Sequence, residues 1–198
     1  MVLREVELFV KAEDILVEVL GRIRAENWRT VLPPLFPRPG ARPTTIRQAV
    51  RKYAQENARL PDVLAGRTPR EPDGDVLGPD PQASIGALSA AACRAVEALT
   101  DGTAVVQTDQ GELTVSDYLW RLDISRCFFA HDVAIHIGSR ACPFTEELAK
   151  GMWEGTWPVA ARWRELGLFG EPLPLPDHVS WRDRFLLCAG RDPHPLVH

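Results

Sequence analysis

The chain has 198 residues, of which 45% are hydrophobic and 25% are charged, and its net charge at pH 7 is −4. This length suits one domain with a sizeable core, so we predict a single domain over residues 1–198. The acidic balance and the scattered basic residues exclude a general nucleic-acid-binding protein, which needs a basic face to contact phosphates.

The amino terminus runs directly into charged amphipathic sequence, without the apolar region of a signal peptide. No stretch approaches the roughly 18 apolar residues of a membrane-spanning helix. We therefore expect a cytoplasmic protein that does not insert into membranes. The four cysteines lie far apart in the sequence, so we expect reduced thiols, with Cys93 and Cys127 buried in helices.

Hydrophobic periodicity predicts the helices of the first half of the chain. The first helix spans residues 3–28, where apolar side chains recur close to every 3.6 residues. A proline-rich linker follows. Thr44 or Thr45 then caps a second helix that runs to about Leu64, with a break or kink at Pro61.

The middle of the chain alternates loop and helix. Residues 66–82 are rich in proline, glycine and aspartate and predict a loop. An alanine-rich third helix follows over residues 82–99. The segment 103–108 has the composition of a short strand or an extended arm.

The last third of the chain is predicted to be helical again. A fourth helix begins near Thr114 and ends at Gly138. A fifth spans 145–166 with a kink at Pro158, and a short helix lies around 181–189. This order predicts an all-α fold, an up-and-down four-helix bundle with an additional C-terminal helix and long loops.

Two glycines of the fifth helix, Gly151 and Gly155, make that helix a candidate pocket wall or dimer contact. The sequence is therefore also compatible with a homodimer. The tail histidines, including His178, His194 and His198, are expected to be exposed.

Three stretches of sequence stand out together. They are Thr45–Lys52 with Glu56-Asn57 and Leu64-Ala65-Gly66, then His131–Gly138, then Phe169–Pro172 with Arg184-Phe185-Leu186 and Gly190-Arg191-Asp192-Pro193. In order and spacing, over nearly the whole chain, they resemble the DinB-like, mycothiol-dependent maleylpyruvate isomerases, whose actinobacterial members end in such a Gly-Arg-Asp-Pro run.

The resemblance implies a divalent metal inside the bundle. In the family the metal is held by a histidine of the second helix and by two ligands one turn apart on the fourth, a spacing that lets two side chains share an ion. The matching positions here are Lys52, Ser125 and Phe129. None of these is a suitable ligand, so we predict a degenerate metal site, with neither a metal nor another cofactor.

The same alignment yields a replacement site. Lys52 and Glu56 lie on one face of the second helix, and Ser125, Asp132 and His136 lie on one face of the fourth. Lys52 is expected to point at the former metal site as a cationic anchor or acid, with Asp132 or Glu56 as base and His136 as a second proton carrier. The alternative is structural: Lys52 pairs with Glu56 or Asp132, or reaches water.

Other arrangements of these residues are open. Asp132 and His136 are four residues apart and can share a metal if a third ligand exists. A Ser125–His136–Asp132 triad is conceivable, but all three come from one helix and no oxyanion hole is evident. His131 is expected on the helix surface.

Three functions follow from these patterns. The first is a metal-independent enzyme on the DinB-like scaffold that isomerises, cyclises or transfers a group on a small organic molecule, as in specialised metabolism. The second is a non-catalytic small-molecule-binding or accessory protein, with Phe129 filling the former metal cavity. The third retains the family's metal- and thiol-dependent activity, through ligands other than those aligned. Fold alone does not decide between them.

Overall fold

The computed structural model describes residues 3–36, 40–69, 74–108, 111–139 and 141–195. Part of the proline-rich linker, including Pro37 and Pro39, part of the predicted 66–82 loop, and His198 lie outside these ranges. The structure is mostly helical, which is compatible with the predicted all-α class. The helices are α1 (Arg4–Leu20), α2 (Ile46–Leu64), α3 (Pro81–Glu97), α4 (Val115–His136), α5 (Glu146–Thr156), α6 (Ala160–Glu165) and α7 (Trp181–Cys188).

Two short antiparallel strand pairs accompany the helices. They are β1 (Val31–Leu32) with β2 (Thr44–Thr45), and β3 (Val105–Thr108) with β4 (Gly111–Thr114). The strand predicted within 103–108 is present as β3. Its partner β4 was not predicted, because the segment before Thr114 carries only the signals of a helix start.

Threonine caps fix the starts of three helices where the sequence predicts them. The Thr45 side chain accepts a hydrogen bond from the Gln48 amide, and Gln48 accepts one in return from the Thr45 amide at 2.9 Å. Thr114 and Thr145 accept the equivalent hydrogen bonds at the starts of α4 and α5. Each cap satisfies an amide that the first helical turn leaves without a partner.

The first helix is shorter than the sequence predicts, whereas the second ends at Leu64 as predicted. The first helix ends at Leu20 with Gly21 as its cap, and residues 25–29 form a separate 3₁₀ turn. Pro61 lies inside α2 without ending it. It falls in the last turns of the helix, where the missing N–H removes one bond and little helix remains to be disrupted.

The glycines of α5 face the core of their own chain. A Cβ atom at Gly155 would lie 2.0 Å from Cη2 of Trp120, and one at Gly151 would lie 2.6 Å from Cδ2 of Leu8. The absence of a side chain therefore lets α5 lie close to α1 and α4. A pocket wall or homodimer contact on another part of α5 stays a prediction. The helix stops before Pro158, which lies in a 3₁₀ turn that leads into α6.

Helix α1 is at the centre of the packing. It packs most extensively along α4, and also against α3 and α5, while α2 packs along α3 and α5 along α7. Each described helix is too short or too polar to cross a bilayer. The carboxyl-terminal half of α4 is buried nearly all round, since Ser125 alone is not buried between Leu122 and Ala134.

The buried apolar side chains form two clusters rather than one. Along α1, Phe9 belongs to one cluster and Leu16 to the other; along α4, Leu122 and Phe129 are divided in the same way. The Arg126 guanidinium contacts both clusters, since it lies over the Phe9 ring of one cluster and the Tyr53 ring of the other. We call the hydrogen-bonded side chains around this contact the polar layer: Glu13, Tyr53, Asn57, Ser89 and Arg126.

Candidate functional site

The structure does not bring the five predicted site residues together. Lys52 is exposed, whereas its neighbour Tyr53 and, one turn later, Asn57 are the side chains of α2 that face the interior. Among the described residues, Lys52 has no ion pair with Glu56 or Asp132. The prediction that Lys52 points at the centre of the bundle is therefore wrong, because the inward face of α2 is rotated by one residue from the aligned position.

Glu56 and Ser125, two further residues of the predicted site, lie near the polar layer. The Glu56 carboxylate is 3.4 Å from Nη1 of Arg126, and its side chain is partly exposed at the edge of the layer. Ser125 is half-buried beside Arg126 in the sequence of α4. Among the described residues, no hydrogen bond or ion pair joins Glu56 or Ser125 to Asp132 or His136, so the predicted set separates into two regions.

Arg126 is the centre of the polar layer. Its Nε donates to Glu13 at 2.6 Å, its Nη2 donates to the Asn57 side-chain oxygen at 2.6 Å, and its Nη1 donates to the Leu122 carbonyl at 3.4 Å. Tyr53 and Asn57 also donate to Glu13. The buried guanidinium and its acceptors are thus mutually satisfied, as buried charges must be.

The Arg126 guanidinium stays protonated in its buried position. Burial alone opposes the charged form, but the neighbouring Glu13 and Glu56 carboxylates outweigh that effect and raise the pKa of Arg126. Burial, followed by the charge of Glu13, raises the pKa of Tyr53 well above its ordinary value. The layer therefore carries a permanent cation.

The residues at the family's ligand positions do not fit a metal. Lys52 points outward, and the Phe129 ring is buried with its centroid 6.2 Å from that of Tyr53. In the described part of the chain, no three histidine, cysteine, aspartate or glutamate side chains converge as a metal site would require. A buried side-chain cation, Arg126, lies in the polar layer instead.

A cleft of about 290 Å³ lies at the carboxyl-terminal end of α4. We call it the α4 cleft; its walls include Pro33, His131, Asp132, His136, Leu168 and Arg191. They come from α4, from the segment after β1, from the turn after α6 and from the segment after α7. Two predicted residues, Asp132 and His136, therefore do share a site, with partners that were not predicted.

Arg191 joins the last described segment of the chain to this cleft. Its Nη2 donates to both carboxylate oxygens of Asp132, and its Nη1 donates to the Leu35 carbonyl at 2.9 Å. The guanidinium carbon lies 4.4 Å from the centroid of the Phe128 ring, a cation–π geometry. Arg191 belongs to the Gly-Arg-Asp-Pro run that the sequence singles out, but its pairing with Asp132 was not predicted.

Asp132 lies beside two histidines. The His136 Nδ1 atom lies 2.7 Å from the Asp132 carbonyl oxygen, which can only accept, so Nδ1 is the donor and, in the neutral ring, Nε2 is an acceptor. The His131 Nδ1 atom lies 3.7 Å from the Asp132 carboxylate. One residue thus faces both imidazoles, through its backbone and through its side chain.

His131 lies in an unexpected position. It was expected on the helix surface, but its side chain is only 2% exposed, and neither ring nitrogen has a hydrogen-bond partner among the described residues. A buried polar group without a partner on the wall of a cleft is a candidate for contact with a ligand. Sequence reasoning missed it because α4 is buried on nearly all sides, so periodicity cannot separate inside from outside there.

The charge state of Asp132 follows from these neighbours. Burial acts to raise the pKa of its carboxyl, but the neighbouring His131 ring and the Arg191 guanidinium outweigh burial and hold the pKa below its ordinary value. Asp132 is therefore a carboxylate at neutral pH. Because both its oxygens already accept from Arg191, it positions its neighbours rather than taking up protons.

The cysteines lack the features of nucleophiles. Burial raises the pKa of the Cys127 thiol well above its ordinary value and raises those of Cys93 and Cys142 to about 11. Few thiolates form at neutral pH under these conditions. The predicted burial holds for Cys127, while Cys93 is partly exposed.

Comparison with known proteins identifies no relative of this chain. No family model matches the sequence, and neither the curated proteins nor the solved structures provide a match. The resemblance to DinB-like maleylpyruvate isomerases therefore remains a prediction from the quoted motifs.

Proposed function

We propose that this chain is a metal-independent enzyme on a DinB-like four-helix scaffold, which acts on a small organic molecule by acid/base chemistry in the α4 cleft. The observation that carries the proposal is the contact between His136 Nδ1 and the Asp132 carbonyl. It fixes one tautomer and leaves Nε2 as a proton acceptor on a residue that lines the cleft. Orientation of an imidazole by a hydrogen bond on its other nitrogen is typical of general bases.

The residues divide into one reacting group and its supports. His136 Nε2 takes a proton from a substrate carbon or hydroxyl, and the resulting imidazolium returns it at another position of the same molecule. Asp132 orients His136 and, with Arg191, fixes the wall on which both lie. Such proton movement needs no oxidant or metal and suits isomerisation or cyclisation. Lys52, Glu56 and Ser125 have no part in it.

A hydrogen-exchange assay tests this proposal with panels of compounds in place of a single defined substrate. The purified chain is incubated in D₂O with small carbonyl and hydroxyl compounds, and deuterium incorporated into carbon is followed by NMR. We expect exchange with a subset of compounds and a loss of about 100-fold or more in the His136→Asn variant. The exposed His178 provides the matched control, since His178→Asn should exchange like the unmodified protein. Exchange that persists in His136→Asn contradicts the proposal.

A second candidate function is non-catalytic binding of a small molecule. It is favoured by the packed interior, where Phe129 and Tyr53 fill the centre and Arg126 uses its donors on its own chain. In this case the α4 cleft holds a ligand without transforming it. Saturable binding in the cleft with no exchange in any panel compound would favour this candidate over the enzyme.

A further inference from the structure

The charges of the α4 cleft restrict what it can hold. Arg191 is the one arginine or lysine among its described lining residues, and both of its terminal nitrogens donate to the chain's own oxygens, on Asp132 and Leu35. Asp192 adds an exposed carboxylate to the same wall. No described cation of the lining is left without a partner, and two carboxylates lie nearby. An anionic ligand would enter without a counter-charge, which is costly in a partly buried site.

The two histidines of the cleft wall are suited to a ligand that donates a hydrogen bond. His136 directs Nδ1 to a backbone carbonyl, which leaves Nε2 as an acceptor. His131 has Nδ1 near the Asp132 carboxylate at 3.7 Å, so the proton of the neutral ring is best placed there. Its buried Nε2 is then an acceptor with no hydrogen-bond partner among the residues that the structure describes. A ligand hydroxyl can satisfy such a nitrogen, whereas a carboxylate cannot.

The rest of the wall is apolar and the space is small. Pro33, Pro34, Ile135 and Leu168 line the cleft beside the histidines. Its volume of about 290 Å³ is at the lower end of the range for small-molecule sites. These features fit a compact apolar body, about the size of one ring, with a single polar group.

We infer that the α4 cleft binds a neutral, largely apolar small molecule that donates its hydroxyl proton to one acceptor nitrogen, Nε2 of His136 or of His131. This inference rests on the proposed function, because it places the ligand in the same cleft. It names the substrate class, and its test concerns binding alone.

Three probes of similar size distinguish the ligand classes. Phenol is neutral and donates a hydroxyl proton, benzoate is an anion, and anisole is neutral without a donor. Each is titrated at about pH 8 into protein with ¹⁵N-labelled histidine, and the ring signals are followed by NMR. Signals of His131 and His136 are assigned with the variants His131→Phe and His136→Asn. His178→Asn serves as the control outside the cleft.

We expect phenol to shift the His131 and His136 signals saturably and to leave the His178 signal unchanged. Anisole should bind about 5-fold more weakly, the loss of one net hydrogen bond. Benzoate should bind at least about 10-fold more weakly, because its charge has no partner. In His131→Phe, which keeps an apolar ring of similar size, the preference for phenol over anisole should shrink.

Each other result overturns a defined part of the inference. Benzoate that binds as tightly as phenol contradicts the neutral class, and anisole that binds equally well contradicts recognition of a hydroxyl proton. Absence of any shift at His131 and His136 contradicts binding in this cleft. These outcomes are read on the unmodified protein, so they do not depend on whether a variant folds. Failure of the proposed function is read separately, from proton exchange in His136→Asn.

Discussion

Glu13 and Arg126 form an ion pair at 2.6 Å between α1 and α4, with side chains that are 0% and 1% exposed. Such a pair contributes little net stability over an apolar pair, but removal of one partner leaves a buried charge unpaired. The Arg126 guanidinium contacts both apolar clusters, and the pair joins helices that are distant in sequence. It therefore makes the packing of α1 on α4 specific.

Removal of this guanidinium tests that role. We expect Arg126→Met to lower the free energy of unfolding by about 3–5 kcal/mol, measured by urea denaturation, because Glu13 stays buried without its cation. The combined variant Glu13→Leu, Arg126→Met should recover part of that loss, because no buried charge is then unpaired. Recovery is incomplete because Tyr53 and Asn57 lose the acceptor that Glu13 provides.

The control is Arg22→Met. Arg22 forms an ion pair with Glu18 in which both side chains are exposed, so this substitution should change the free energy of unfolding by less than about 0.5 kcal/mol. A loss below about 1 kcal/mol in Arg126→Met would contradict this account.

The second prediction concerns acid stability at Asp132. Its pKa in the folded chain is lowered from 3.8, so its contribution to stability is present above the unfolded-state pKa and is lost as the pH falls through the folded one. Asp132→Asn should cost about 1–3 kcal/mol at pH 7, the range for hydrogen bonds to charged groups. The difference in stability between this variant and the unmodified protein should shrink as the pH falls below about 4, which thermal unfolding at a series of pH values measures. A difference that is independent of pH would show that the Arg191 ion pair is not its source.

The third prediction concerns Asp123, whose side chain is fully buried and whose oxygens have no hydrogen-bond partner in the described residues. Burial, with the nearby Glu5 and Glu13 charges, raises the pKa of Asp123 well above 3.8 despite the opposing charge of Arg126. As the pH rises, the Asp123 carboxyl ionises in the unfolded chain before it ionises in the folded chain. Ionisation therefore favours the unfolded chain, and stability falls progressively above about pH 4. Asp123→Asn should therefore be more stable than the unmodified protein at pH 7, and this advantage should fade towards pH 4. Destabilisation at pH 7 would contradict the prediction.

The fourth prediction tests the approach of α5 to its neighbours. Gly155→Ala places a methyl group against Trp120 and should lower stability by about 1–3 kcal/mol, as overpacked cores do. Gly86 supplies the matched control, since it also lies in a helix but has nothing within 4 Å of an added Cβ. Gly86→Ala should raise stability by up to about 1 kcal/mol through helix propensity. Equal effects of the two substitutions would mean that α5 does not pack as described.

Much of the helical organisation is accessible from sequence because helix starts carry local chemical signals. Thr45, Thr114 and Thr145 each accept a hydrogen bond from the first turn, and the sequence identifies all three regions as helix starts. The end of α1 at Leu20 was missed because apolar periodicity continues beyond it. Strand β4 was missed because it is only four residues long and its pairing is set by β3.

The candidate site was only partly predictable, for two physical reasons. Lys52 was placed on the inward face of α2 by alignment with the family motif, and the sequence gives no separate signal that Asn57 is buried, because a polar residue in the core looks like a surface residue. The burial of α4 on nearly all sides hides which positions line a cleft, and His131 was therefore assigned to the surface. Asp132 and His136 were identified, but Arg191 comes from a segment that only the tertiary structure brings to them.

The metal content of the purified, untagged protein tests the central claim most directly. The protein is expressed in medium supplemented with zinc and nickel, and elemental analysis follows. We predict well under about 0.1 metal ion per chain, because the described residues offer no convergent set of three ligands. One zinc or nickel ion per chain would contradict a metal-independent cleft and would return Asp132 and His136 to the role of ligands in a thiol-dependent enzyme.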